Sequence, residues 1–273
     1  MLAGVDGVSS VKQVIENNLY GTVNMLEYAR RRKAGFILLS TSRVYSIAEL
    51  QKIPLLTSDH AFLVDDKKNS VPHVSSAGIR EAFSTAAPIS IYGSTKLCSE
   101  VLALEYAETY QLPVWINRCG VLAGAGQFGR PDQGIFAYWI NAFRSKQPLR
   151  YIGFGGTGHQ YRDCLHPRDL ASLVEKQMES GDAKKDRLIN VGGGAENAMS
   201  LRQLSNWCEA RYGALEIASV KEDRQLDVPW VVMDSGLAKS NWDFKASVSM
   251  TEILIEIADH ADKNPDWLKI SAV

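Results

Sequence analysis

FILLS, at residues 36–40, is an apolar run with no alternating polar residue, and it leads straight into the hydroxyl cluster Ser40, Thr41 and Ser42. A strand without alternation is one covered on both faces, the pattern of a parallel sheet between helices. LPVWINRCGV (112–121) and RLINVGG (187–193) supply further strands of this kind. VKQVIENNLYGTVNMLEYARRR (11–32) predicts one long helix from about Ser10, with an apolar stripe through Val11, Val14, Ile15, Met25 and Leu26. Gly21, in its middle, costs about 1 kcal/mol against alanine and so suggests close packing. Residues 47–88 show weak periodicity and read as a polar loop region.

Further along, IFAYWINAFRSKQ (135–147) predicts an amphipathic helix, and LRYIGFGGTGHQYRD (149–163) a strand and turn leading toward His166. Residues 168–181 read as a helix, Ser200 opens SLRQLSNWCEARYG as another, and TEILIEIADHADK closes the chain. AGAGQFGRPDQG (123–134) is glycine-rich, but Pro131 and Asp132 make it a loop. Alternating strands and helices argue for an α/β architecture, a doubly wound parallel sheet with a smaller C-terminal lobe.

The functional signal is Tyr92 and Lys96 in SIYGSTKLCSE (90–100). Residues four apart share one helix face, so the phenol and the ammonium address the same small volume. A tyrosine beside an aliphatic lysine stem is the commoner meaning of that spacing. Here, however, Ser90 stands ready to cap the helix, Pro88 precedes it, and Thr41 ends the upstream strand, where open α/β sheets place their ligands. The set suits proton abstraction from a sugar hydroxyl, with a nearby ammonium and a nicotinamide cation favouring the phenolate and drawing the tyrosine's pKa toward neutral pH.

Composition excludes other classes. The 273 residues carry 30 basic and 31 acidic side chains, with no basic surplus for nucleic acid; RRRK at 30–33 reads as a helix end. No apolar run reaches the roughly 20 residues of a membrane helix, and the first residues contain no basic signal region. Cys98, Cys119, Cys164 and Cys208 form no paired motif and read as reduced, mostly buried thiols of a cytoplasmic protein. His60, His73, His159, His166 and His260 show no metal-ligand spacing.

With these residues in place, the chain resembles the extended short-chain dehydrogenase/reductases of the NAD-dependent nucleotide-sugar epimerase and dehydratase family. The match rests on Thr41 ahead of Val44-Tyr45, on Tyr92 and Lys96, and on Asn18, Gly21, Thr22, Asn24, Leu26 and Glu27 in the preceding helix. GHQYRDCLHPRDLA and RLINVGGG resemble further family segments. STSRVYS, QFGRPDQG and RDCLHPRDL look most like the CDP-paratose (CDP-tyvelose) 2-epimerase branch, although Ser42, Arg43 and Ser46 depart from its pattern. A 4-epimerase, a 4,6-dehydratase or a catalytically dead sugar-nucleotide or partner-binding fold are the alternatives. Dehydration is the weaker one, because Ser42 and Arg43 stand where dehydratases carry carboxylic acids.

The resemblance implies a nucleotide-diphosphate sugar as substrate, NAD as cofactor and a homodimer built from the helices holding Asn18 and Tyr92. Thr41, Tyr92 and Lys96 would be catalytic. Tyr92, Lys96, Ala3, Asn18 and Val121 would hold the cofactor, and Thr41, Arg162 and Arg224 the substrate. For Arg162 an ion pair with Asp163 or Asp169 is an equal expectation. Residues 1–125 would be the remnant of a Rossmann domain and 126–273 mainly the substrate lobe, with segments near 160–195 returning to the sheet. No strand followed by G-x-x-G-x-x-G is present. MLAG resembles the end of the family's fourth strand, so roughly 70–80 residues carrying the pyrophosphate cradle are expected to be missing. The sheet would then miss its first strands, FILLS would have an open edge, and only the nicotinamide half of NAD would be contacted, so that binding is weak or absent.

Overall fold

In the computed structural model, residues 10–130, 133–180, 186–223 and 226–271 are described. The FILLS segment forms the strand Phe36–Thr41, paired in parallel with Val114–Cys119 so that Phe36 faces Val114 and Thr41 faces Cys119. Leu188–Val191 joins the other side of Val114–Cys119, again in parallel. Among the described residues the Phe36–Thr41 strand is therefore the edge of a three-stranded sheet. The central strand is buried along its whole length. Phe36 and Leu38 pack under the helices with Leu26, Ala103, Ala107 and Ile116. On the opposite face, the cluster of Trp115, Leu170, Leu173, Ile189 and Trp242 reaches Ile37 but goes no further. Leu39 is left 43% exposed, so the expected double coverage fails at this one residue.

The first helix is not uniform. Ser10 closes a capping box with Gln13, but Glu16–Tyr20 is a π-helical turn between the α-helical stretches Val11–Ile15 and Gly21–Arg32. An extra residue in a turn rotates every later position relative to the 3.6 spacing. Val14 and Leu26 are buried as the stripe predicts, whereas Val11 and Met25 are about half exposed. Gly21 has no atom within 4 Å of where a Cβ would sit, so close packing is not its reason.

Residues 47–88 are more ordered than their pattern suggests. A short helix, Ile47–Leu50, precedes the hairpin Leu55–Ser58/Ala61–Val64 and a smaller one, Val74–Ser75/Gly78–Ile79. Their buried residues, among them Leu50, Ile53, Val64, Ile79 and Phe83, join Trp230, Val232 and Met233 in one cluster. Such short elements hold too few turns to show a period. At the first hairpin's tip, Asp59 and His60 adopt left-handed backbone. The tip lies on the C-terminal lobe: Phe62 N donates to His159 O, Ser200 Oγ to His60 O and Gln203 Nε2 to Asp59 O.

That lobe is built from the helices Ile135–Arg144, Leu201–Tyr212 and Met250–Lys263 around a core of Phe136, Trp139, Ile140, Leu204 and Ile253. Ser200 caps the second of these with a full capping box. Tyr161–Leu165 links the lobe to the sheet side, pairing with Ala198–Ser200, Trp230–Val231 and Val121–Leu122.

Between the sheet and the Ser90–Tyr110 helix lies a buried ion pair. Arg118, on the central strand, forks onto Glu100 at 2.7–3.2 Å; Glu100 also accepts from Ser40 Oγ at 2.5 Å. Arg118 further reaches Glu81 O and the Tyr45 hydroxyl, which itself donates to Asn190. Removing one partner strands a charge in the interior, so Arg118→Met is expected to lower the unfolding free energy by about 3–5 kcal/mol. Replacing Glu100 by Leu in the same chain should restore much of it, as read from urea denaturation midpoints.

Candidate active site

Tyr92, Lys96 and Glu100 form one stripe of the Ser90–Tyr110 helix, at successive four-residue steps, and each meets the tip of the first strand. The Tyr92 hydroxyl faces Thr41, Lys96 Nζ donates to Leu39 O at 2.6 Å, and Glu100 receives Ser40. The helix start is fixed locally. Ser90 Oγ accepts from Gly93 N at 3.1 Å, although Ser90 itself takes a left-handed φ of 68°. Gly93 lets the helix lie on the turn after Thr41, since a Cβ there would stand 2.3 Å from Arg43 O. Thr41 Oγ1 in turn accepts from Arg43 N at 3.2 Å.

The electrostatics differ from the expectation. Burial pushes the Tyr92 phenol above its ordinary pKa, against the neighbouring Thr41 hydroxyl and the Arg43 guanidinium, which pull it down. The cation that acts on Tyr92 is thus Arg43, two residues beyond Thr41. Lys96 is pushed down by burial, opposed by Cys119 and Glu100. Cys119, buried beside it, is pushed up to about 12, again by burial.

Thr41, Tyr92, Val121 and Arg162 line one cavity of about 1150 Å³ between the strand tips and the lobe. Lys96 stands one turn behind Tyr92, engaged by the strand carbonyl. Asn18 lies elsewhere: its amide donates to Thr95 Oγ1, tying the π turn to the Tyr92 helix. Ala3 and Arg224 fall outside the described residues. Arg162 donates to Tyr161 O and Val228 O and pairs with Asp227 at 3.5 Å, so its partner is neither Asp163 nor Asp169. Asp169 instead accepts Ser247 and Val248 N–H groups. The sequence pattern did not point to Arg150 or Asp227 as cavity residues, or to Arg43 as more than a departure from the branch pattern. Gly124, Gly126 and Gly129 do stand at G-x-G-x-x-G spacing, yet no helix follows until Ile135.

Thr41 and Tyr92, with Lys96 one turn on, thus meet at the carboxyl end of a parallel sheet. The sequence profile of the NAD dependent epimerase/dehydratase family matches residues 3–192, and the chain belongs to that family. It is 26% identical over 271 residues to a probable UDP-glucuronate 4-epimerase of Rhizobium meliloti, covering 93% of this chain and 70% of the relative. To the CDP-paratose 2-epimerase of Salmonella typhi it is 27% identical over 197 residues, covering 69% of this chain and 54% of that protein. The fold is similar to that of the UDP-glucuronic acid 4-epimerase from Bacillus cereus, whose structure contains UDP-glucuronic acid and NAD. Their TM-score is 0.68 at 24% identity, covering 91% of this chain and 68% of that one.

Asp163 lies beneath the cavity floor, 1% exposed, where the ends of two sheet strands converge. A Cβ at Gly120 or Gly192 would come within 2.8 or 2.2 Å of its carboxylate. Gly194 N donates to one oxygen, while the other has no partner among the described residues. Burial pushes its pKa up from 3.8 to about 7. The folded protein then holds this proton more tightly than the unfolded chain, so stability from this group is full below 3.8 and is lost as pH rises toward about 7. Asp163→Asn should gain thermal stability relative to the parent over that range, in melting curves taken at pH 4 to 8.

Proposed function

We propose that the chain epimerises a nucleotide-diphosphate sugar through a keto intermediate, with NAD as cofactor. The observation that carries this reading is the meeting of Thr41 and Tyr92 on one cavity wall, with Lys96 one helical turn behind. The residues fit the nicotinamide half of the cofactor. Val121 offers an apolar wall, and the Lys96 ammonium has three donors, of which Leu39 O takes one. Among the described residues no glycine-rich turn opens a helix for the pyrophosphate.

Bound NAD would supply the hydride acceptor and donor. Thr41 holds the sugar hydroxyl in line, and Tyr92 Oη, as the phenolate that the cationic nicotinamide and Arg43 would favour against burial, takes its proton as the carbon is oxidised. The keto sugar turns its other face, and Tyr92 returns the proton as the carbon is reduced, with no net redox change. Ser42 and Arg43 offer no carboxylic acid for expelling water, which favours epimerisation over dehydration. CDP-sugar 2-epimerisation and 4-epimerisation differ in which hydroxyl reaches Tyr92, and a relative of each kind supports them. Product analysis on CDP- and UDP-sugars decides between them.

A homodimer through the helices carrying Asn18 and Tyr92 belongs to the same reading. Tyr20, Met25, Tyr28 and Val101 expose 53–58% of their surface on those helices. Sedimentation should show a dimer that Tyr28→Glu weakens; a monomeric parent chain would remove the proposal. For the chemistry, Tyr92→Phe should cut turnover by about 10²–10⁴-fold while the sugar-nucleotide Kd changes little. Unchanged turnover would take Tyr92 out of its role.

A further inference from the structure

Arg43 is the cationic group of the cavity that the mechanism leaves unused nearest the reacting centre. It lies in the 3-10 turn Ser42–Val44, half-buried, with its side chain on the cavity wall. Its backbone is held on both sides, N–H on Thr41 Oγ1 and carbonyl against Gly93, so the side chain starts from a fixed base. Yet its guanidinium makes no hydrogen bond or ion pair among the described residues. The other arginines of the interior are occupied: Arg118 by Glu100, and Arg162 by Tyr161 O, Val228 O and Asp227. The nearby acid, Asp227, receives Val228 N and Arg162 on Oδ1 and bears on Arg43 through its charge, with no bond between the two side chains.

A guanidinium taken from water without an anion is destabilised, and burial does push Arg43 below its ordinary pKa, against the pull of Asp227 and Tyr92. Its side chain and Tyr92 line the same cavity, and its charge bears on the Tyr92 phenol. Arg150, the exposed residue of the otherwise largely buried Leu149–Ile152 strand, also lines the cavity and is available to the diphosphate. A fork of this kind, pre-positioned and unpaired, matches a carboxylate in bidentate geometry.

We infer that Arg43 receives a carboxylate carried by the reacting sugar, so that the preferred substrate is a nucleotide-linked hexuronate and not a neutral hexose. This rests on the nucleotide-sugar reading above and narrows it. The test is equilibrium binding by calorimetry, which needs no turnover, with UDP-glucuronate and UDP-glucose as probes of the parent chain, Arg43→Met and Arg43→Lys. The parent should bind the uronate more tightly. Arg43→Met should weaken the uronate by about tenfold or more and the neutral sugar by less than about twofold, with Arg43→Lys between.

Equal losses for both sugars would put the guanidinium on the diphosphate and overturn the inference, as would unchanged uronate affinity. Should Arg43→Met not fold, the same selective loss read in Arg43→Lys decides. Binding of neither sugar by the parent would sink the nucleotide-sugar reading and this inference together. Selective binding without epimerisation would leave the inference standing and remove the reaction alone.

Discussion

The Arg118–Glu100 pair governs the geometry of everything above it. A helix and a parallel strand can slide along one another at little cost when only apolar side chains meet, because dispersion is non-directional. A buried, forked ion pair permits no such slide. Glu100 binds the neighbouring strand through Ser40 as well as the central strand through Arg118, so one carboxylate sets the helix height against both. Two turns toward the helix start, that height becomes the Tyr92–Thr41 contact. Desolvating the pair is expensive, and its return is specificity of register.

The same burial that orders the site raises the energy of its charged states. The Tyr92 phenolate is disfavoured, Lys96 is drawn toward its neutral form, and Arg43 lacks an anion. A site arranged in this way is poised for a charged visitor: anions beside Arg43 and cations beside the phenol both relieve what the protein alone leaves uncompensated. The cost of burial is spread over three neighbouring groups.

Much of this was legible in the residues because it depends on local rules. Strand FILLS, the four-residue spacing of Tyr92 and Lys96 and the Ser200 cap each follow from a period or a single hydrogen bond. What escaped the sequence depends on distance along the chain. Asp227 and Arg43 come within charge range of each other from 184 residues apart, and Arg150 enters from a strand with no distinguishing pattern. The π turn escaped because it changes the period that reveals helices. Glu100 drew no notice in the sequence, because its meaning required Arg118, eighteen residues on and in a different layer.

The Leu55–Val64 hairpin carries a mechanical implication. Its base is anchored in the cluster under the sheet side, and its tip is bonded to the Leu201–Tyr212 helix start and to His159. A crossbar fastened at both ends resists the hinge-like gaping by which two-lobed proteins usually admit large molecules. Each of its hydrogen bonds adds about 0.5–1.5 kcal/mol to the work of separation. The hairpin thereby holds the two walls of the cavity at a set separation.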